Sequence, residues 1–98
     1  MDIGCGNGLL VREFALAVSA VGRAACLDMS GEQLAVARRN CADLRAAAFV
    51  AGDATSKEFA DAAFDDVASV NTLEYISDTG AALDEIRRVL KTGGRTAL

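Results

Sequence analysis

The sequence predicts an α/β domain, an open and mostly parallel sheet with helices on both faces. Three observations predict it. Short apolar runs of strand character alternate with longer segments whose apolar residues recur at helical spacing. The runs themselves are almost wholly apolar, as strands covered on both faces must be. Three of them end directly on glycine or aspartate, at Gly4, Asp28 and Gly52-Asp53, so the chain turns sharply at the same end of each strand. The 98 residues give room for one domain, read as residues 1–98.

The elements follow in order. A strand stub, Met1-Asp2-Ile3, runs into Gly4-Cys5-Gly6-Asn7-Gly8. Leu10, Phe14, Ala17, Val18 and Val21 then recur at helical spacing and define one buried face, and Gly22 stands where a left-handed residue would end the helix. Arg23 to Leu27 reads as a buried strand closed by Asp28. Ser30-Gly31-Glu32-Gln33 fits a capping box, in which the Ser30 hydroxyl accepts from the Gln33 amide while the Gln33 side chain reaches back. Leu34, Ala37, Cys41 and Leu44 share a face of the helix behind it. Phe49-Val50-Ala51 is a third strand, followed by a polar stretch with a helical turn near Lys57 to Ala62. Val67 to Val70 is a fourth. Asp78 or Thr79 caps a helix whose inner face is Ala82, Leu83, Ile86, Val89 and Leu90; Gly93-Gly94 stops it, and Arg95 begins a fifth extended run.

Composition narrows the function classes. The net charge of −4, without histidine, gives no electrostatic footprint for a phosphate backbone, so nucleic acid is not expected as a partner. Cys5, Cys26 and Cys41 are odd in number and widely spaced, with no Cys-x-x-Cys pair, so no metal site is expected and buried free thiols are the preferred reading. The longest uncharged apolar stretch, Phe14 to Gly22, is too short to span a bilayer and follows no basic leader, which leaves the cytoplasm as the expected location.

A strand stub, a Gly-x-Gly-x-Gly turn and a helix together make a ligand site, because glycines let backbone approach a ligand closely. Asp28, twenty residues after Gly8, ends the next strand, where a carboxylate can accept both ribose hydroxyls of an adenosine. Dinucleotide-binding loops follow Gly-x-Gly-x-x-Gly and set a pyrophosphate on the helix. This loop is one residue tighter, and Asp2 stands two residues before its first glycine. A carboxylate there repels a pyrophosphate and suits an ammonium.

Asp2-Ile3-Gly4-Cys5-Gly6-Asn7-Gly8 closely resembles the first motif of class I S-adenosylmethionine-dependent methyltransferases of the small-molecule type, and the resemblance covers nearly the whole chain. Leu27-Asp28-Met29-Ser30 with Gln33 to Ala37 is similar to the second strand and its helix. Gly52-Asp53-Ala54 is similar to the turn after the third strand, and Phe64-Asp65 through Leu73-Glu74-Tyr75 to the fourth strand and its exit. Ala82 through Gly94 resembles the helix and double-glycine turn before the fifth strand.

The resemblance implies a Rossmann-like sheet with neighbour order 3-2-1-4-5, truncated at both ends: little of the first strand, none of the sixth and seventh, and self-association through unpaired strand edges. It implies S-adenosyl-L-methionine as cofactor and a small-molecule methyl acceptor. Asp2 would lie near the methionine end, with the backbone of Gly4, Cys5, Gly6 and Gly8 lining the loop. Asp28 would take the ribose, Met29 pack beside the adenine, and Asp53 and Ala54 address its edge. Val70 and Asn71 would face the methionine side.

No catalytic residue is implied. Tyr75 stands where relatives often have histidine, Asp66 stands where an apolar strand residue is usual, and Thr92 replaces a common proline. The Asp66 departure predicts that the fourth strand starts later. Two rival readings stay open: a non-catalytic cofactor-binding or interaction module that keeps the fold, and an NAD-dependent oxidoreductase.

Overall fold

The computed structural model describes residues 1–18, 22–55, 59–70 and 72–98. Five strands form one sheet: β1 (Asp2–Ile3), β2 (Ala24–Asp28), β3 (Ala47–Ala51), β4 (Phe64–Ser69) and β5 (Leu90–Ala97). Their order is β3-β2-β1-β4-β5, and each pairing is parallel. The helices are α1 (Leu9–Ala17), α2 (Gly31–Asn40) and α3 (Thr79–Val89), with a short 3-10 turn at Leu73–Tyr75. This is the open Rossmann-like sheet and neighbour order the sequence implied.

Alternation along the strands divides the core. Ala25 and Leu27 of β2 join Ile3, Val67 and the α3 residues Ala82, Ile86 and Val89 on one face. Ala24 and Cys26 join Val11, Ala15, Leu34 and Ala37 on the other, beneath α1 and α2. Leu27 and Leu34 are almost fully buried, and each such burial stabilises the fold by roughly 1.5–3 kcal/mol. Although β1 has only two residues, it pairs on both sides, Asp2 with Cys26 and Ala68 and Ile3 with Leu27 and Ser69. The strand ends that carry Gly4 and Asp28 are thereby set side by side.

The helix starts follow the sequence closely. Ser30 Oγ accepts from the Gln33 amide at 3.2 Å, but the Ser30 amide donates to Asp28 rather than to the Gln33 side chain, so only half of the capping box forms. Asp78 rather than Thr79 caps α3, accepting from the Ala81 amide at 2.9 Å. Other details differ. Val11 and Ala15 are the buried residues of α1, with Leu10, Phe14 and Val18 flanking them and Ala17 exposed. The helix starts directly from Gly8, and that start sets the innermost row one residue later than periodicity alone suggests. It ends at Ala17 with Val18 extended, so Gly22 is not its left-handed cap; Val21 lies outside the described residues. Residues 56–58 of the turn expected near Lys57 also lie outside them.

Leu83 is exposed rather than on the inner face of α3. That helix ends at Val89, and Leu90 already opens β5, three residues before the glycine pair. Leu90 pairs with Phe64 and Arg95 with Asp66, so residues 91–94 bulge out of the ladder, with Gly93 at a φ of 80°. The fourth strand begins at Phe64 and contains Asp66, correcting the later start expected from that aspartate. The Asp66 carboxylate is held at the surface by Arg95, whose Nε donates at 3.0 Å.

Candidate functional site

A cavity of about 430 Å³ opens at the carboxyl ends of the central strands, the place where open α/β sheets take ligands. Ile3 and Gly4 from the end of β1, Leu27, Asp28 and Met29 from the end of β2, and Gly52 to Thr55 after β3 form one wall. Thr72 and Tyr75 to Asp78, beyond β4, form the other. Its lining carries the carboxylates of Asp28, Asp53 and Asp78 and, among the described residues, no lysine or arginine.

Asp28 is the fixed point of the site. Its Oδ2 accepts from the Gly6 amide at 3.0 Å and its Oδ1 from the Ser30 amide at 2.8 Å. The carboxylate thus ties the glycine turn to the start of α2, and each oxygen keeps a lone pair for a ligand hydroxyl. Asp53 Oδ1 accepts from both the amide and the hydroxyl of Thr55, each at 2.8 Å, which closes the turn after β3. Met29 stands exposed at the rim.

The glycine turn is dictated by its neighbours. Gly4 has a φ of 70°, and a Cβ there would collide with the Thr72 side chain. Gly8 has a φ of 84°, and its Cβ would lie 2.9 Å from that of Ala37. Only glycine meets both the backbone sign and the close approach at these positions. The glycine and Cys5 amides of the turn are engaged internally: Gly4 and Cys5 donate to the Leu27 carbonyl at 2.7 and 3.3 Å, and Gly8 to that of Cys5 at 3.0 Å. Gly6 donates to Asp28, and the Leu9 amide to Asn7 Oδ1 at 3.3 Å.

Of the residues expected from sequence, Gly4, Asp28, Met29, Asp53 and Ala54 line the one cavity. Gly6 and Gly8 shape the turn without lining it. Val70 is exposed, past the end of β4 and off the cavity wall, and Asn71 lies outside the described residues. Asp2 is also off the wall, buried in β1 on the side of Cys26. Burial pushes its carboxyl up to about 6, the Asp28 carboxylate adding to the effect and the amino group at Met1 opposing it.

The expected free thiols need correction, because Cys5 and Cys26 form a disulfide across a Cα–Cα distance of 5.6 Å and only Cys41 is free. The two bonds from the turn to the Leu27 carbonyl fold Cys5 back over β2 and bring the pair together. Sequence reasoning also missed Thr72 and Ser77 as wall residues; two small hydroxyl residues just past a buried strand were the available signal.

The Methyltransferase domain family profile matches residues 1–98. The chain is 34% identical to the 2-phytyl-1,4-naphtoquinone methyltransferase of Thermosynechococcus vestitus, over all of this chain and 44% of that protein. Among solved structures it is similar to the YcgJ protein from Bacillus subtilis, with a TM-score of 0.90, 30% identity, and coverage of 97% of this chain and 40% of that one. It is also similar to the [4+2]-cyclase SpnF, with a TM-score of 0.84, 29% identity, and coverage of 92% and 34%. The chain belongs to the methyltransferase domain family, and it spans less than half the length of these relatives.

Proposed function

We propose that this chain forms the S-adenosylmethionine-binding part of an enzyme that methylates a small-molecule acceptor. The observation that carries the reading is the acidic cavity beside a glycine turn whose Gly4, Cys5, Gly6 and Gly8 amides are already engaged. A pyrophosphate needs positive charge beside its N–H donors, and the described lining offers no lysine or arginine. That argues against the dinucleotide-dependent oxidoreductase. A ligand carrying a sulfonium and an ammonium is favoured by carboxylates, and a turn with engaged amides still has carbonyl oxygens for an ammonium.

In this reading Asp28 holds the ribose hydroxyls, prepositioned by the Gly6 and Ser30 amides. Met29 covers the adenine face, and the Asp53 turn with Ala54 meets its edge. The cofactor supplies an activated methyl group, so the chain's own work is to orient it and keep its path to the acceptor open. The name of the Thermosynechococcus relative, a naphthoquinone methyltransferase, supports a small-molecule acceptor. Tyr75, exposed on the wall beyond β4, is the residue we assign to the acceptor side.

Asp28→Ala tests the cofactor half of the reading. Each charge-assisted hydrogen bond lost contributes roughly 1.5–3 kcal/mol, so S-adenosylhomocysteine affinity by calorimetry should fall at least tenfold with the fold retained. Unchanged affinity would refute the ribose assignment. One structural neighbour is a cyclase by name, so the alternative is a chain that keeps this fold without transferring a methyl group. Binding without methyl release, across a panel of quinone and phenol acceptors, would select it.

A further inference from the structure

A second grip on the glycine turn comes from the far end of α2. The Asn40 side-chain amide donates to the Asn7 carbonyl at 2.8 Å, across 33 residues of sequence. Asn7 and Gly8 share one peptide plane, and in a trans peptide the carbonyl and the N–H point in opposite directions. Holding the Asn7 carbonyl toward α2 therefore holds the Gly8 N–H on the Cys5 carbonyl, 3.0 Å away. That bond closes the turn from residue 5 to residue 8. The turn in turn presents the Gly6 amide to Asp28 Oδ2.

Asn40 is itself held. Arg12 Nη1 donates to the Asn40 carbonyl at 2.9 Å, and the same guanidinium forks onto both oxygens of Asp43 at 2.7 and 3.0 Å. The Arg12 backbone amide donates to the Gly8 carbonyl at 2.9 Å, which closes a ring from the turn through α1 and α2 and back.

We propose that Asn40 is a positioning residue for the cofactor site, acting through the Asn7–Gly8 peptide plane on the ribose carboxylate of Asp28. The inference rests on the cofactor reading given above. Asn40 is exposed, and its side chain packs into no core cluster, so the grip directs the turn more than it supports the fold. Losing one such hydrogen bond corresponds to about a fivefold change in an equilibrium.

The experiment measures S-adenosylhomocysteine affinity by calorimetry, with melting curves, on the protein and on Asn40→Ala, Asn40→Asp, Asn40→Gln and Arg12→Ala. Asn40→Ala should bind about three- to tenfold more weakly at nearly unchanged melting temperature. Asn40→Asp, which sets a carboxylate against the Asn7 carbonyl, should do no better. Asn40→Gln keeps the donor and should recover affinity to within about twofold. The combined Asn40→Ala and Arg12→Ala losses should fall short of additive, because both act on one ring.

Parent affinity retained in Asn40→Ala, or a loss in Asn40→Gln as large as in Asn40→Ala, overturns the proposal and leaves the cofactor reading standing. No binding by the parent overturns both.

Discussion

Asp2→Asn tests what one buried carboxylate costs the fold. Asp2 occupies the central strand at 2% exposure, between Cys26 on β2 and Ala68 on β4. Burial pushes its carboxyl from 3.8 up to about 6. The folded state therefore holds a proton that the unfolded chain has released once pH exceeds about 4. Stability from this group is greatest below about pH 4, declines as pH rises to about 6, and is fully lost above that. The interval between 3.8 and about 6 corresponds to a loss on the order of 3 kcal/mol.

Asparagine keeps the shape and carries no titrating proton. Asp2→Asn should match the parent near pH 4 and exceed its stability by up to about 3 kcal/mol at pH 7. Urea unfolding across about pH 4 to 8 reads the difference directly. Parallel stability profiles for the two proteins would refute the reasoning. Asp2 is no part of the cavity wall, so S-adenosylhomocysteine affinity at pH 7 should be unchanged in Asp2→Asn.

Two other perturbations have defined outcomes. Gly8→Ala forces a left-handed backbone on an L-residue and brings its Cβ to 2.9 Å from that of Ala37; a loss of about 2–4 kcal/mol is expected in thermal or urea unfolding, and wild-type stability would contradict the turn described here. Reducing the Cys5–Cys26 disulfide, which joins residues 21 apart, should cost roughly 3 kcal/mol and raise the alkylatable thiols of the unfolded protein from one to three; three reactive thiols before reduction would show that the pair is not bonded.

What was legible in the sequence was local. The Ser30 cap, the Asp78 cap and the aspartates at the ends of β2 and in the turn after β3 each depend on residues within a few positions. The unbroken apolar run Ala24 to Leu27 marked a strand buried on both faces, and the structure divides its residues between the two core clusters. The α1 face was legible only to within one row, since periodicity sets the spacing of a helix and the Gly8 start sets its rotation. Gly93-Gly94 reads locally as a helix stop, because glycine pairs commonly serve as one. Here Asp65 lies opposite, its carbonyl 2.9 Å from where a Gly94 Cβ would sit, and the glycines make a close-packed bulge instead.

The site divides along the same line. Asp28 and the glycine spacing were readable because the turn and the carboxylate are read from neighbouring residues and family motifs. The reasons for the glycines were not: Gly4 is set by Thr72 and Gly8 by Ala37, contacts made only once the sheet has placed β4 and α2. The Cys5–Cys26 bond and the Asn40 grip belong to the same class, joining residues 21 and 33 apart with no local pattern between them. A substitution at Thr72, Ala37 or Asn40 therefore alters the turn as surely as one within it, although none of the three belongs to the glycine motif. Specificity of the turn is distributed over the elements that surround it, and a motif match alone does not establish that those elements are in place.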